Sequence, residues 1–272
     1  MVAIDASFNQ GVMKITIVTV CYNAVDLIEE TIRSVLEQTY ADIEYIVIDG
    51  GSVDGTNDVI GKYKESISYV VSESDNGIYD AMNKGINAST GDFINFLNAG
   101  DVFCNSRVVE DVVHGINKTC KPCEVVYGDV MYKYAFGKKY VPSKLLTRIR
   151  YDMVFSHQSV FVQSVILKNR PFSLNYRLAA DYDFLLWAYL NGCSFVRLSM
   201  PVSIVDVTGG VTNSNFVKSR KESFEIQLSY GGNRLLCYSW FLWTVMYFKI
   251  GIAIKRNLPK SILKRLISNY NG

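Results

Sequence analysis

Acidic residues that close short apolar runs are the first chemistry the sequence offers. Ile43 to Ile48 stops at Asp49-Gly50-Gly51-Ser52-Val53-Asp54-Gly55-Thr56, and Asp92 to Leu97 stops at Asn98-Ala99-Gly100-Asp101. A carboxylate followed by glycines and exposed amides at a helix N-terminus can grasp a base and its ribose. The same residues would also make a Gly-rich turn in which Asp54 or Thr56 caps the next helix. Asp101, a carboxylate among small residues, suits Mg²⁺ or Mn²⁺ shared with phosphate oxygens, or else caps a helix over Val108 to Val113.

Four further positions could take part. Asp80 and Lys84 are four apart, which suits an intrahelical ion pair or, functionally, a place under a nucleotide with Lys84 supplying positive charge. Asp181 and Asp183 lie two apart at a helix start, so they point to different faces and at most one looks into a cleft. Carboxylates at that position also complement the helix dipole. His157 stands alone in Ser156-His157-Gln158-Ser159, before a strand. Cys120, Cys123 and nearby His114 lack a second ligand pair at zinc spacing, which argues against a metal or redox centre there.

The elements that must carry these residues follow from periodicity. Lys14 to Val20 is a β-branched run, and Val25 to Glu37 then places Leu27, Ile28, Ile32, Val35 and Leu36 at helical spacing. The alternation continues with a strand at Ile43 to Ile48, a helix at Asn57 to Tyr63, a strand at Ile67 to Val71, a helix at Ile78 to Asn87 and a strand at Asp92 to Leu97. It predicts a mostly parallel, Rossmann-like sheet flanked by helices, with ligands beyond the carboxyl ends of the strands. Beyond it, Val125 to Val130 and Lys138 to Val141 read as a hairpin, Ser159 to Val162 as a strand and Asp181 to Leu190 as a helix. Phe195 to Leu198 and Val202 to Val207 read as two further strands.

A chain of 272 residues suits one large α/β domain with an appendage, and 49% hydrophobic with 20% charged residues is a globular composition. Residues 1–13 read as a leader, disordered or a start-site extension; 14–103 as the nucleotide-binding half; 104–230 as the second half of the same domain; and 231–272 as an apolar, basic helical tail. Six scattered cysteines and no secretory signal fit a reducing cytosol.

Charge is concentrated at the end. Seven cations and no Asp or Glu follow Glu225, so with a net +2 overall the remainder carries −5. Leu235 to Ile254 is apolar apart from Lys249, and Pro259 to Ile267 is basic and amphipathic. A spanning helix is conceivable from length, but it would carry the basic end outside, against the positive-inside tendency. The expectation is therefore a helix on the inner leaflet through 235–267, with Trp240, Trp243 and Tyr247 near the headgroups. A core or dimer helix, and hence a homodimer, is the alternative. Nucleic acid is not expected as a partner.

Taken in order, Cys21-Tyr22-Asn23, the Asp49 to Thr56 cluster, Asn76-Gly77-Ile78-Tyr79-Asp80-Ala81-Met82-Asn83-Lys84-Gly85, Gly91-Asp92 and Phe96 to Asp101 resemble glycosyltransferase family 2, the inverting GT-A-fold enzymes. The likeness is specific over 14–103 and looser to about 215, where Ala180-Asp181-Tyr182-Asp183 and Gly209-Gly210-Val211-Thr212 are also similar to family landmarks. It implies a GT-A-like α/β fold and transfer from a nucleotide diphosphate sugar, expected to be UDP-linked, to an acceptor hydroxyl. A lipid-linked or saccharide acceptor in bacterial surface-polysaccharide assembly, on the cytoplasmic face of the inner membrane, would follow. By resemblance Thr19, Tyr22, Asn23, Asp49 and Ser52 would line the nucleotide pocket, with Asp49 on the base and Asp80 and Lys84 supporting base and diphosphate. Asp101 would hold Mn²⁺ or Mg²⁺, and Asn98 and Gly100, which stand where family members often carry acids, would be substrate-binding. Asp181 would be the catalytic base, preceded by Ala180 instead of an acid, with Asp183 in reserve and His157 near the donor phosphates or acceptor. A non-catalytic nucleotide-binding protein and a nucleotidyltransferase are the rival readings; no basic phosphate loop near the first strand supports the second.

Overall fold

The computed structural model describes residues 13–119, 122–135, 137–207 and 215–257. β1 (Ile15–Cys21) is buried along its whole length, as a strand covered on both faces must be. It pairs in parallel with β2 (Ile43–Asp49) on one side and β4 (Phe93–Phe96) on the other, and β2 pairs in parallel with β3 (Tyr69–Ser72). The chain thus runs outward from β1 to β3 and returns past β1 to β4. This reversal opens a crevice at the strand ends, where Cys21 lies in register with Asp49 and Asp101 follows β4.

The crossovers are α1 (Ile28–Leu36), α2 (Thr56–Gly61) and α3 (Ile78–Ala88), each within a few residues of its expected span. Alternate strand residues feed two cores. Ile15, Ile17, Tyr45 and Val47 face Ile28 and Ile32 of α1 and Val112 of α4 (Val108–Asn117). Val18, Val20, Ile46 and Ile48 face Met82 and Ile86 of α3. Each such side chain contributes about 1.5–3 kcal/mol over its exposed state. Gly85 allows the closest approach, since a Cβ there would stand 2.4 Å from Cγ1 of Val18.

The second half extends the same sheet, in the order β3-β2-β1-β4-β8-β6-β9-β5. β6 (Val125–Tyr134) and β7 (Gly137–Val141) form the expected hairpin, and β8 (Val160–Gln163) lies antiparallel between β4 and β6. β5 (Val102–Phe103) pairs antiparallel with β9 (Phe195–Asp206), which runs parallel to β6. One expectation is corrected here. The two strands expected at Phe195 to Leu198 and Val202 to Val207 are one strand, ending at Asp206, because a register shift opposite Asp129 absorbs the irregularity at Pro201. The first four strands are parallel as expected, and antiparallel pairings enter with β8, which comes from a short turn and not from a crossover helix.

α5 (Ser164–Asn169) and α6 (Ala180–Leu190) cover the second-half sheet on the α3 side. α7 (Phe216–Ser229) seats Ile226 in that core. α8 (Arg234–Asn257) packs along α7 through Phe216 and Phe248, whose rings stack at 4.0 Å, and through Phe224 with Phe241 at 5.8 Å. Its other face leaves Leu235, Leu242, Trp243, Met246, Tyr247 and Ile250 exposed. Among the described residues no helix is long and apolar enough to cross a membrane. Residues 1–12, the Gly209 to Thr212 landmark and the basic segment from Pro259 to Ile267 lie outside the described residues.

Candidate active site

The loops that follow β1 and β2 are stitched to one another. Asn23, in a left-handed conformation (φ 47°), accepts from the Val53 amide at 3.0 Å, and its own amide donates to Oγ of Ser52 at 2.7 Å. Ser52 in turn donates to Asp49. Tyr22 stands 65% exposed over this loop.

Asp49 is fully buried, 0% exposed, beneath the loop that it organises. It accepts from the amides of Gly51 and Ser52, from Asn57 and from the Ser72 hydroxyl. Burial works to raise its pKa, but the Ser52 and Ser72 hydroxyls, with the Ser52 amide and Asn57, hold it below the ordinary carboxylate value. The capping alternative holds in part: Asp54 accepts from the Thr56 amide at 3.0 Å, while Gly55 takes the N-cap position itself. Thr19 is 0% exposed: its hydroxyl donates to the Leu97 carbonyl at 2.8 Å and accepts from Tyr45 at 3.0 Å, so it braces the sheet beneath the crevice.

Asp80 and Lys84 do not form the intrahelical pair considered above. Asp80 reaches back to the Asn76 amide at 2.9 Å, satisfying an end of α3 that Gly77 leaves uncapped. Lys84 pairs instead with Glu73 at 2.9 Å and donates to the Ser74 carbonyl at 3.1 Å, so it anchors the segment between β3 and α3.

Asp101 is not the cap of α4, since Arg107 occupies that position. It is 7% exposed and accepts from Gln158 at 2.8 Å. No Lys or Arg among the described residues forms an ion pair with it. Burial pushes its carboxyl up to about 6, against the Gln158 hydrogen bond and the nearby His157, with Asp206 adding like charge. Gly100 adopts φ +95°, a conformation unfavourable to side-chain-bearing residues.

The two carboxylates at the start of α6 separate as their spacing predicts. Asp183 turns to Arg170 at 2.8 Å and Tyr230 at 3.1 Å, tying α6 to α7 within the core. Asp181 turns to the crevice side. Its Oδ1 accepts from the Tyr79 hydroxyl at 2.8 Å and the Tyr182 amide at 2.9 Å, and its Oδ2 lies 3.2 Å from Nδ1 of His157. The far nitrogen of His157 meets the Asn98 carboxamide at 3.1 Å. Burial opposes ionisation of Asp181, but the hydrogen bond and charge of His157, the Tyr79 hydroxyl and the Tyr182 amide hold it below the ordinary value. His157 is displaced the other way: burial lowers it, and the Asp181 hydrogen bond and charge, with Asp101, raise it above the ordinary value.

The neighbours His157 and Gln158 therefore bracket the site, one touching Asp181 and the other Asp101. Asn98, Asp101, His157 and Asp181 are brought together, while Asp49, Asn23 and Ser52 form the adjoining loop cluster. Tyr79 and Gln158 escaped the sequence reading although both lie in segments it singled out, because a residue's partner far along the chain leaves no periodic trace. For a divalent cation, Asp101 supplies a hard oxygen donor and a buried carboxylate with no Lys or Arg partner among the described residues, which fits Mg²⁺ or Mn²⁺. No group of three His, Cys, Asp or Glu among the described residues could hold an ion alone. The remaining ligands would thus come from a diphosphate and water.

Comparison with known proteins accords with this geometry. The model of the family described as "Glycosyl transferase family 2" matches residues 16–175. A PGL/p-HBAD biosynthesis glycosyltransferase of Mycobacterium bovis is 28% identical over 200 residues, covering 71% of this chain and 76% of its own. The structure of S. aureus TarS 1-349 in complex with UDP aligns with a TM-score of 0.63 at 22% identity, covering 79% of this chain and 65% of that one. A mannosyltransferase from Pyrobaculum calidifontis, in complex with GDP-Man and Mn²⁺, aligns with a TM-score of 0.63 at 16% identity, covering 96% and 81%. At these identities the two structures establish the fold.

Proposed function

The chain belongs to glycosyl transferase family 2 and is a glycosyltransferase, and from that premise we propose that it moves a sugar from a nucleoside diphosphate sugar, UDP-linked, to an acceptor hydroxyl with inversion. The observation that carries this reading is the pair of carboxylates held by one turn: Asp101 by Gln158 at 2.8 Å and Asp181 by His157 at 3.2 Å. In this reading the first faces the donor diphosphate and the second the acceptor.

In this scheme the acceptor oxygen attacks the anomeric carbon from the side opposite the diphosphate. Asp181 takes the acceptor proton as the new bond forms, and the nucleoside diphosphate leaves with its bonding pair. One carboxylate suffices, with no covalent intermediate. Asp101 would hold the divalent cation, which when bound offsets charge on the diphosphate. The Asp49 loop and exposed Tyr22 form the wall for base and ribose, with Asp80 and Lys84 shaping the segment beside it.

The acceptor class follows from the tail. The exposed apolar face of α8 and the seven cations after Glu225 suit a helix lying on an anionic bilayer surface. A lipid-linked saccharide in cell-surface polysaccharide or glycolipid assembly would be presented there, on the cytoplasmic face.

Thermal shift with UDP-glucose, UDP-galactose and UDP-N-acetylglucosamine, with and without Mn²⁺, followed by measurement of UDP release, tests the reading. A Mn²⁺-dependent rise in melting temperature with turnover is the expected result. Binding without any release would mark a non-catalytic nucleotide-binding protein.

A further inference from the structure

A carboxylate has two oxygens and about four lone-pair sites. In Asp181 three are taken: two on Oδ1, by the Tyr79 hydroxyl and the Tyr182 amide, and one on Oδ2, by Nδ1 of His157. Among the described residues one site on Oδ2 is left. Asp181 lies in the first turn of α6, where the helix dipole already favours a carboxylate. Its partners come from distant elements: Tyr79 is 102 residues away, on α3, and His157 sits on the turn before β8.

We propose that Tyr79 and His157 are positioning residues that lock the Asp181 carboxylate so that its one free lone pair, on Oδ2, meets the acceptor hydroxyl. The inference rests on Asp181 being the base. Tyr79 is suited to the task because it is buried, its ring is held by Phe172 at 5.5 Å, and its hydroxyl stays protonated. Burial first, then the Asp181 charge, drives the pKa of that hydroxyl well above the ordinary value, so it can only donate to the carboxylate. His157 is oriented from behind by Asn98, on the same strand-end turn as Asp101. The donor-side loop thereby sets the direction of the imidazole, and the imidazole sets the carboxylate.

The alternative is that these bonds merely lock α3 and the β8 turn to α6. The two differ in what a conservative variant does to the titration of Asp181. The charged or titratable groups around it are His157 from the turn, Tyr79 from α3, Asp101 beyond His157, and Glu222 of α7 near Tyr79. Removing a donor from the ionised carboxylate raises its pKa, so the acid limb of kcat must move to higher pH.

The experiment uses the full chain at saturating Mn²⁺, which keeps Asp101 ionised, and follows UDP release from whichever of the three UDP-sugars is turned over. Tyr79→Phe and His157→Leu are expected to lower kcat on the order of ten- to a hundredfold, leave donor KM within about twofold, and shift the acid limb upward. His157→Asn, whose carboxamide nitrogen can stand where Nδ1 stands, should recover most of the rate and return the limb toward wild type. A Tyr79→Phe profile superimposed on wild type, or His157→Asn and His157→Leu falling equally with no movement of the limb, would overturn the proposal. If Tyr79→Phe does not fold, the His157 pair decides alone. Asp181→Asn run alongside separates the two levels: an active Asp181→Asn protein defeats the base assignment itself, whereas an inactive one with unmoved limbs in the other variants defeats only the positioning.

Discussion

Gln158 donates a 2.8 Å hydrogen bond to Asp101, a carboxyl group buried to 7% exposure and pushed up to about 6 from an ordinary 3.8. Between pH 4 and 6 the folded chain holds a proton there that the unfolded chain has released. Stability therefore falls as pH rises through that window, and the full cost, up to roughly 3 kcal/mol, is present above it.

Asp101→Asn keeps an acceptor for Gln158 but cannot ionise. It should be more stable than wild type by roughly 1–3 kcal/mol above pH 6, with the difference vanishing below about pH 4. Urea unfolding at pH 4 and 7.5 measures this; equal stability at pH 7.5 would remove the buried-charge account. In the presence of UDP, Mn²⁺ should raise the melting temperature of wild type and not of the variant.

Asp181→Asn should abolish sugar transfer by about 10²-fold or more, the usual contribution of a general base, while donor affinity stays within about twofold. Titration calorimetry with UDP and Mn²⁺, set beside turnover, measures both. Loss of donor binding in parallel with activity would reassign Asp181 to the donor pocket.

Gly85 lies in the Asn83-Lys84-Gly85 motif, yet its work is packing. Gly85→Ala would drive a methyl to 2.4 Å from Val18 Cγ1, separating α3 from β1, at a cost of about 1–3 kcal/mol by overpacking. The shift in the denaturation midpoint reads it, and an unchanged midpoint would show that the helix slides freely on the sheet.

Leu242 and Met246 are exposed one turn apart on α8. Leu242→Glu with Met246→Glu should lower co-sedimentation with phosphatidylglycerol-containing vesicles at least about tenfold, given about 1.5–3 kcal/mol for each buried apolar side chain. UDP release from a soluble donor should be unaffected. Undiminished sedimentation would return α8 to a role in dimerisation or in the core.

By itself the sequence determined the alternation of strands and helices, the polar clusters at the strand ends and the opposite facing of Asp181 and Asp183. These depend on periodicity and turn chemistry within a few residues, which a linear string displays. What only the tertiary structure decided is partnership. That Thr19 is sealed beneath the crevice, that Lys84 chooses Glu73 over Asp80, and that Tyr79 and His157 share Asp181 depend on which strand lies beside which. The return of the chain past β1 to β4, and the entry of β8 beside it, bring residues 57 to 102 positions apart within hydrogen-bond reach. Local preference does not encode that reach, because the free energy that sets strand order is spread over two cores and not written in any one segment.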